Sequence, residues 1–246
     1  MRRLAIGAAF LLLVSPLAAC NDPEAVTPPP PETTAPATTA APTTSTTAAP
    51  APARSLAVPA HAPPAIDGIL DAGEWDGSAT VTMTDGSALH WMHDQDVLFV
   101  ALESDAVGAV NLVLATEDEV WILHSSAALG SALYLRGPEV WELSHGFAWC
   151  CRSATDDSPR MQLLEEEGWQ ANIGFSGDDG IVEYEVTLPW DGALVAVSYL
   201  TDAETSAFWP ADLSSGARDQ LVGPPPPERD YNLDEWFTLV SSAQGD

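Results

Sequence analysis

The residues best suited to ligand chemistry are the nine tryptophans of this 246-residue chain. A pyranose presents an apolar C–H face that stacks on an indole, while nearby carboxylates and amides take its hydroxyls. Exposed Trp would therefore point to a sugar, and the alternative is that all nine pack a core. Three carboxylates, Asp67, Asp71 and Glu74, fall within one short turn. Hard cations take carboxylate oxygens, which makes the three a candidate calcium site. The competing reading is structural and is favoured, because an acidic chain supplies such spacings by chance. In it Asp67-Gly68 is a turn pair, and Asp71 with Glu74 three residues on is a capping box. Hydrolysis has no support: paired carboxylates arise by chance here, and neither G-x-S-x-G nor H-E-x-x-H occurs. No catalytic residue is assigned.

Two further residues with chemistry are the adjacent Cys150 and Cys151. Thiols of an exported protein tend to pair, but neighbours across a trans peptide have Cα atoms about 3.8 Å apart, shorter than the usual disulfide span. If the strand begun at Phe147 continues through Arg152, the two side chains point to opposite faces and stay separate, one of them a small core residue. If the strand breaks, a vicinal disulfide forms a rigid apolar plate beside Trp149, a floor for a pocket. Separate thiols are the preferred expectation.

Export itself is read from the first residues. Arg2 and Arg3 precede an apolar run from Leu4 to Val14, and Leu17-Ala18-Ala19-Cys20 resembles a bacterial lipobox. Cys20 would then carry diacylglycerol, and its two acyl chains give stable anchoring. An ordinary cleaved signal peptide is the alternative. Residues 21–54 contain nine Pro, nine Thr, nine Ala and seven others. With no apolar periodicity they are read as a disordered tether, which in extended form spans up to ~100 Å. Residues 55–246 are the folding part, a single domain by length.

The charge lies entirely there. Residues 1–54 hold three Arg and three acids, while 55–246 hold five Arg, no Lys and 33 acids, so 5 − 33 accounts for the whole −28. Duplex binding needs basic residues to displace counterions, so nucleic-acid binding is excluded. The chain is read as a monomer held on the outside of the cell membrane by its lipid.

The elements that must position these residues are strands. Runs rich in β-formers cover 79–84, 88–93, 97–103, 109–115, 119–125, 147–152, 169–175, 181–188, 194–200 and 235–240, separated by Asp/Gly/Ser/Pro turns. Val182, Tyr184, Val186 and Leu188 alternate with Glu183, Glu185 and Thr187, whereas 97–102 is apolar on both faces, as a strand covered on both sides would be. The pattern predicts an all-β antiparallel sandwich of two sheets with one or two short helices. One helix is expected from Ser158-Pro159 to a stop at Gly168, with Glu165-Glu166-Glu167 at its unfavourable end.

The segment from Ile66 to Trp75 (IDGILDAGEW), followed by His90 to Asp105, resembles the opening of family 9 carbohydrate-binding modules and of the related DOMON-like sandwiches. One extra residue, Gly73, precedes Glu74-Trp75. Gly168–Phe175, Glu183–Trp190 and Pro227–Val240 are similar to later strands of such domains, while about 106–160 matches no version. The resemblance implies a jelly-roll-like sandwich in a superfamily that binds sugars or haem. Within it Trp75, Trp91, Trp169 and Trp190 fall in the structural pattern, Trp75 plugging one end of the sandwich, and Trp236 belongs to the last strand. Trp121, Trp141, Trp149 and Trp209 are then the sugar-binding candidates, with Trp141 and Trp209 preferred because Gly137-Pro138 and Pro210 place them near loops. In the haem alternative, which is disfavoured, Met92 with His93, His124 or His145 would ligate iron, and His90 shares a face with Met92. No C-x-x-C-H is present for covalent attachment. The expectation is a non-catalytic binding lipoprotein for a carbohydrate or other small ligand. An envelope protein-interaction domain is the third reading.

Overall fold

The computed structural model describes residues 54–151, 157–176, 179–201 and 206–243. The expected signal segment with Cys20 and the Pro/Thr/Ala tether up to 53 lie outside the described residues. Fourteen strands form: β1 (Ser55–Pro59), β2 (Ala79–Thr82), β3 (Ala88–Asp94), β4 (Val97–Ser104), β5 (Ala109–Ala115), β6 (Glu119–Ser125), β7 (Leu129–Arg136), β8 (Trp141–Cys150), β9 (Trp169–Ser176), β10 (Asp179–Val186), β11 (Leu194–Leu200), β12 (Ser206–Trp209), β13 (Glu228–Arg229) and β14 (Phe237–Ser242). Two short helices accompany them, α1 (Ser158–Glu167) and α2 (Ser215–Asp219). Each of the ten expected runs overlaps a strand; Arg152, the end of one, lies outside the described residues. The smaller sheet has the order β2-β3-β4-β10-β9, and the larger β1-β14-β11-β5-β6-β7-β8-β13 with β12 also on β11. The protein is an all-β sandwich of two sheets. Pairing is antiparallel throughout except for β1, which runs parallel to β14.

Alternation along the strands divides the apolar residues into three layers. Between the sheets, Trp91, Leu98, Val100 and Tyr184 meet Leu112, Leu114, Leu123 and Val197. The outer face of the smaller sheet is covered by the loop before β2, whose Ile66, Leu70 and Trp75 pack on Met92, Phe99 and Ala101. The outer face of the larger sheet is covered by the chain around α2. There Leu213, Ala217, Leu221 and Trp236 lie on Val113, Val120, Ile122 and Ala196. Strand β4 is therefore apolar on both faces for the reason its sequence suggested.

Helix α1 starts one residue earlier than expected, at an Asp157 cap, with Pro159 in the first turn. Gly168 ends it at φ 77°, donating its N–H to the Leu164 carbonyl at 3.0 Å. Two of the three glutamates at its end are held by contacts. Glu167 accepts from the Ser131 hydroxyl on β7, and Gln162 donates to Glu166 at 2.7 Å. Among the described residues no helix is long and apolar enough to cross a membrane.

Candidate functional site

The two preferred tryptophans are buried. Trp209 is 4% exposed and lies in the inter-sheet core, its ring 5.4 Å from Trp91 and 5.0 Å from Phe237. Trp141 is 5% exposed within the outer layer of the larger sheet, with the Arg136 guanidinium 4.7 Å above its ring. Nearby proline and glycine had suggested loops, but both residues sit on strands whose faces are covered. Trp75, Trp91, Trp169, Trp190 and Trp236 are buried as well. Trp75 does not plug an end of the sandwich: it lies flat against the outer face of the smaller sheet, beside Met92 and Phe99.

Trp149 differs from all of these: it is 58% exposed. Strand β8 carries it opposite Gly130 of β7, which in turn lies beside His124 of β6. A Cβ on Gly130 would stand 3.0 Å from the Trp149 ring and 3.3 Å from the Phe147 ring. With a side chain at position 130 the two rings would have to give way by a few tenths of an ångström. Phe147 and Trp149 have centroids 5.1 Å apart at 33°, and the His124 ring meets Trp149 edge-on at 5.3 Å. The result is a shelf of two aromatic rings on the outer face of the larger sheet.

A polar group with a fixed tautomer borders this shelf. Asn111 donates from Nδ2 to the Ser198 hydroxyl at 3.1 Å and to the Leu221 carbonyl at 3.0 Å, so its Oδ1 is an acceptor. His124 Nδ1, 2.7 Å from that oxygen, must therefore carry the proton, and Nε2 is left with its lone pair. Burial lowers the pKa of His124, which keeps the ring neutral at pH 7. A hydroxyl-bearing ligand stacked on Trp149 would find an acceptor in Nε2.

Trp121, the fourth candidate, points the other way. It pairs with Leu133 and through it with His145; Trp121 and Leu133 stand three residues from His124 and Gly130, and so lie on the inner face. Trp121 is half-buried, donates to Glu119 at 3.1 Å and meets the His145 ring edge-on at 5.8 Å. Trp121 and Trp149 cannot clasp one ligand between them.

Cys150 and Cys151 are joined, contrary to the preferred expectation of separate thiols. The strand stops at Cys150, and Cys151 turns to φ 62°. That turn removes the opposite-face geometry which would have kept the sulfurs apart. Both residues pack against the inter-sheet core.

The opening turn is a clasp on one buried carboxylate. Glu183, 0% exposed on the outer face of β10, accepts from the Asp67 N–H at 3.0 Å, the Gly68 N–H at 2.7 Å and the Trp75 Nε1–H at 3.2 Å. Gly68 (φ 84°) sits on Gly174, so close that a Cβ at Gly174 would fall 1.6 Å from the Gly68 carbonyl oxygen. Burial pushes the Glu183 pKa up to about 7, the nearby Asp67 and Glu74 carboxylates adding to the rise against the hydrogen bonds from Gly68 and Trp75. The alternation of Glu183 with Val182 and Tyr184 had placed it among polar outward residues. Its burial depends on the loop more than 100 residues away in sequence.

The calcium reading does not fit this geometry. Asp67 accepts from Ile69 N–H at 2.9 Å, and Glu74 accepts from Ala65 N–H instead of closing a capping box with Asp71. Among the described residues no three His, Cys, Asp or Glu side chains are grouped to hold a metal ion. Haem ligation does not fit either. Met92 is buried with Trp75 on the outer face of the smaller sheet, His124 lies on the far face of the larger sheet, and His93 is tilted against Trp190 at 5.1 Å. His90 leaves β3 on the same side as Met92, so the two cannot approach an iron from opposite sides. No family model, curated protein or solved structure matches the chain.

Proposed function

We propose that this is a membrane-anchored, surface-exposed lipoprotein, tethered through Cys20, whose sandwich binds carbohydrate without catalysis. The observation that carries the reading is the Trp149–Phe147 shelf. A large indole is held open on a sheet face, on a glycine that makes room for it, beside a neutral histidine with a free lone pair. An apolar sugar face fits the rings, and a hydroxyl fits His124 Nε2. The likeness of the opening turn to family 9 carbohydrate-binding modules supports the same reading.

Electrophoresis of the full-length protein through gels carrying a panel of soluble polysaccharides tests this. At least one polysaccharide should retard it, and Trp149→Ala should weaken retardation about tenfold, the worth of one stacked indole. Free migration in every gel, or equal retardation of the variant, overturns the proposal. The anchor is tested separately: Cys20→Ser should release the protein from the membrane fraction, and normal processing with lipid labelling of the variant refutes it.

A further inference from the structure

The part of β8 that carries Trp149 is thinly supported. Near the start of the strand Trp141 and Glu142 pair with β13, and past them no described strand lies on that edge. On the other edge the register with β7 shifts between Ser131 and Leu133. Beyond the shift only Ser131 with Ala148, Gly130 with Trp149 and Leu129 with Cys150 are paired. A short, one-sided ladder is a weak hold on an exposed indole. What closes it is the Cys150–Cys151 disulfide.

On a strand continued past Cys150, Cys151 would face the same side as Trp149, two residues before it. Instead its φ of 62° turns it inward, and both cysteines pack against the inter-sheet core. The left-handed region is disfavoured for a residue with a Cβ, because that carbon crowds a carbonyl oxygen. The bond between the sulfurs joins the two side chains in that conformation. Cys151 is not sealed in: it is half-buried and lines a cleft of about 290 Å³ between the β6–β7 turn and β9.

We propose that this disulfide is a redox switch on the aromatic shelf. Joined, it fixes the end of β8 and with it Trp149; reduced, it releases both and weakens sugar binding. The switch rests on the carbohydrate reading of the shelf. Its reductant is a dithiol. One thiolate of the dithiol attacks the Cys151 sulfur from the cleft and breaks the bond to Cys150, which leaves as a thiolate and takes up a proton. The second thiol then displaces Cys151, which is protonated in turn. Two electrons and two protons end on the cysteines, and the reductant becomes a disulfide. Cys151 is then free to take the extended conformation, which carries its side chain out of the core and onto the Trp149 face. The shelf loses its preorganised floor.

The test runs the full-length protein in detergent through the same polysaccharide gels, with and without dithiothreitol, and follows amide hydrogen exchange in both states. Reduction should weaken retardation about fivefold, the worth of holding one large side chain in place, and re-oxidation should restore it. Exchange should quicken roughly tenfold at 147–151 and stay unchanged in β4 and β10, which separates a local release from general unfolding. The double variant Cys150→Ser, Cys151→Ser should behave as the reduced protein and ignore dithiothreitol; if it does not fold, reduction of the parent decides alone. Equal retardation of the two redox forms, unchanged exchange at 147–151, or faster exchange throughout overturns the switch and leaves the carbohydrate reading standing. Free migration of both forms in every gel overturns the carbohydrate reading and the switch with it.

Discussion

Replacing Glu183 by Gln should remove a pH dependence, the variant gaining on the parent as pH rises from acid to alkaline. Glu183 is wholly buried, and its pKa rises from the ordinary 4.5 to about 7, chiefly through burial. Folding at pH between those values must therefore take up a proton. Stability contributed by the protonated form is fully present below the unfolded value and is lost as pH rises toward the folded one. Each pH unit removes about 1.4 kcal/mol, so the loss is complete near neutrality at roughly 3 kcal/mol. Glutamine keeps one oxygen for the Asp67 and Gly68 N–H groups, but its NH2 faces the Trp75 Nε1–H and loses that bond at every pH. It carries no charge to bury. Urea denaturation of full-length parent and variant, followed by Trp emission, should show the variant weaker at pH 4 by the lost Trp75 bond, about 1 kcal/mol. Between pH 4 and pH 8 the difference should move in the variant's favour by about 3 kcal/mol. The other acids are common to both proteins and cancel in the difference. A pH-independent difference refutes the account of Glu183 as a carboxylate whose burial resists ionisation.

Three further outcomes follow from the packing. Trp209→Ala, in the inter-sheet core against Trp91 and Phe237, should cost about 3–5 kcal/mol in denaturant titration; a loss below 1 kcal/mol would show that it is not a core residue. Intact mass after alkylation should rise by two alkyl groups only if reduction comes first, because Cys150 and Cys151 are joined; two groups without reduction refutes the disulfide. The melting temperature should climb with NaCl as the −28 charge is screened, and calcium at matched ionic strength should add nothing more. A saturable additional rise would restore a cation site.

Strand content was legible because β-branched and aromatic residues cluster between turn residues, and Ala109–Ala115, Glu119–Ser125 and Leu194–Leu200 coincide with their expected bounds. What escaped lacks that signal. β7 (LGSALYLR) has no β-branched residue, and its place is set by pairing with β6 along its whole length. β1 carries a proline and is held in parallel by β14, a long-range pairing with no local signature. The first half of β8 is broken by Ser144 and Gly146, where the register with β7 shifts.

The site was less legible for a related reason. Alternation tells which side of a strand a residue faces, but not what covers that side. In this molecule both outer sheet faces are covered by distant loops, 60–78 on one and 210–236 on the other. Trp75 and Glu183 are buried by the first, and Trp141 by the second, so their polar neighbours and nearby turns misled. Trp149 stays open because the cover around α2 leaves this part of β8 bare, and because Gly130 removes the side chain that would have pushed the indole away. A Gly opposite a Trp on neighbouring strands is a signal in the sequence, but it becomes readable only once the β7–β8 register is known. The same register separates Trp121 from Trp149 onto opposite faces, and it is this parity, rather than the number of tryptophans, that reduces nine candidates to one shelf.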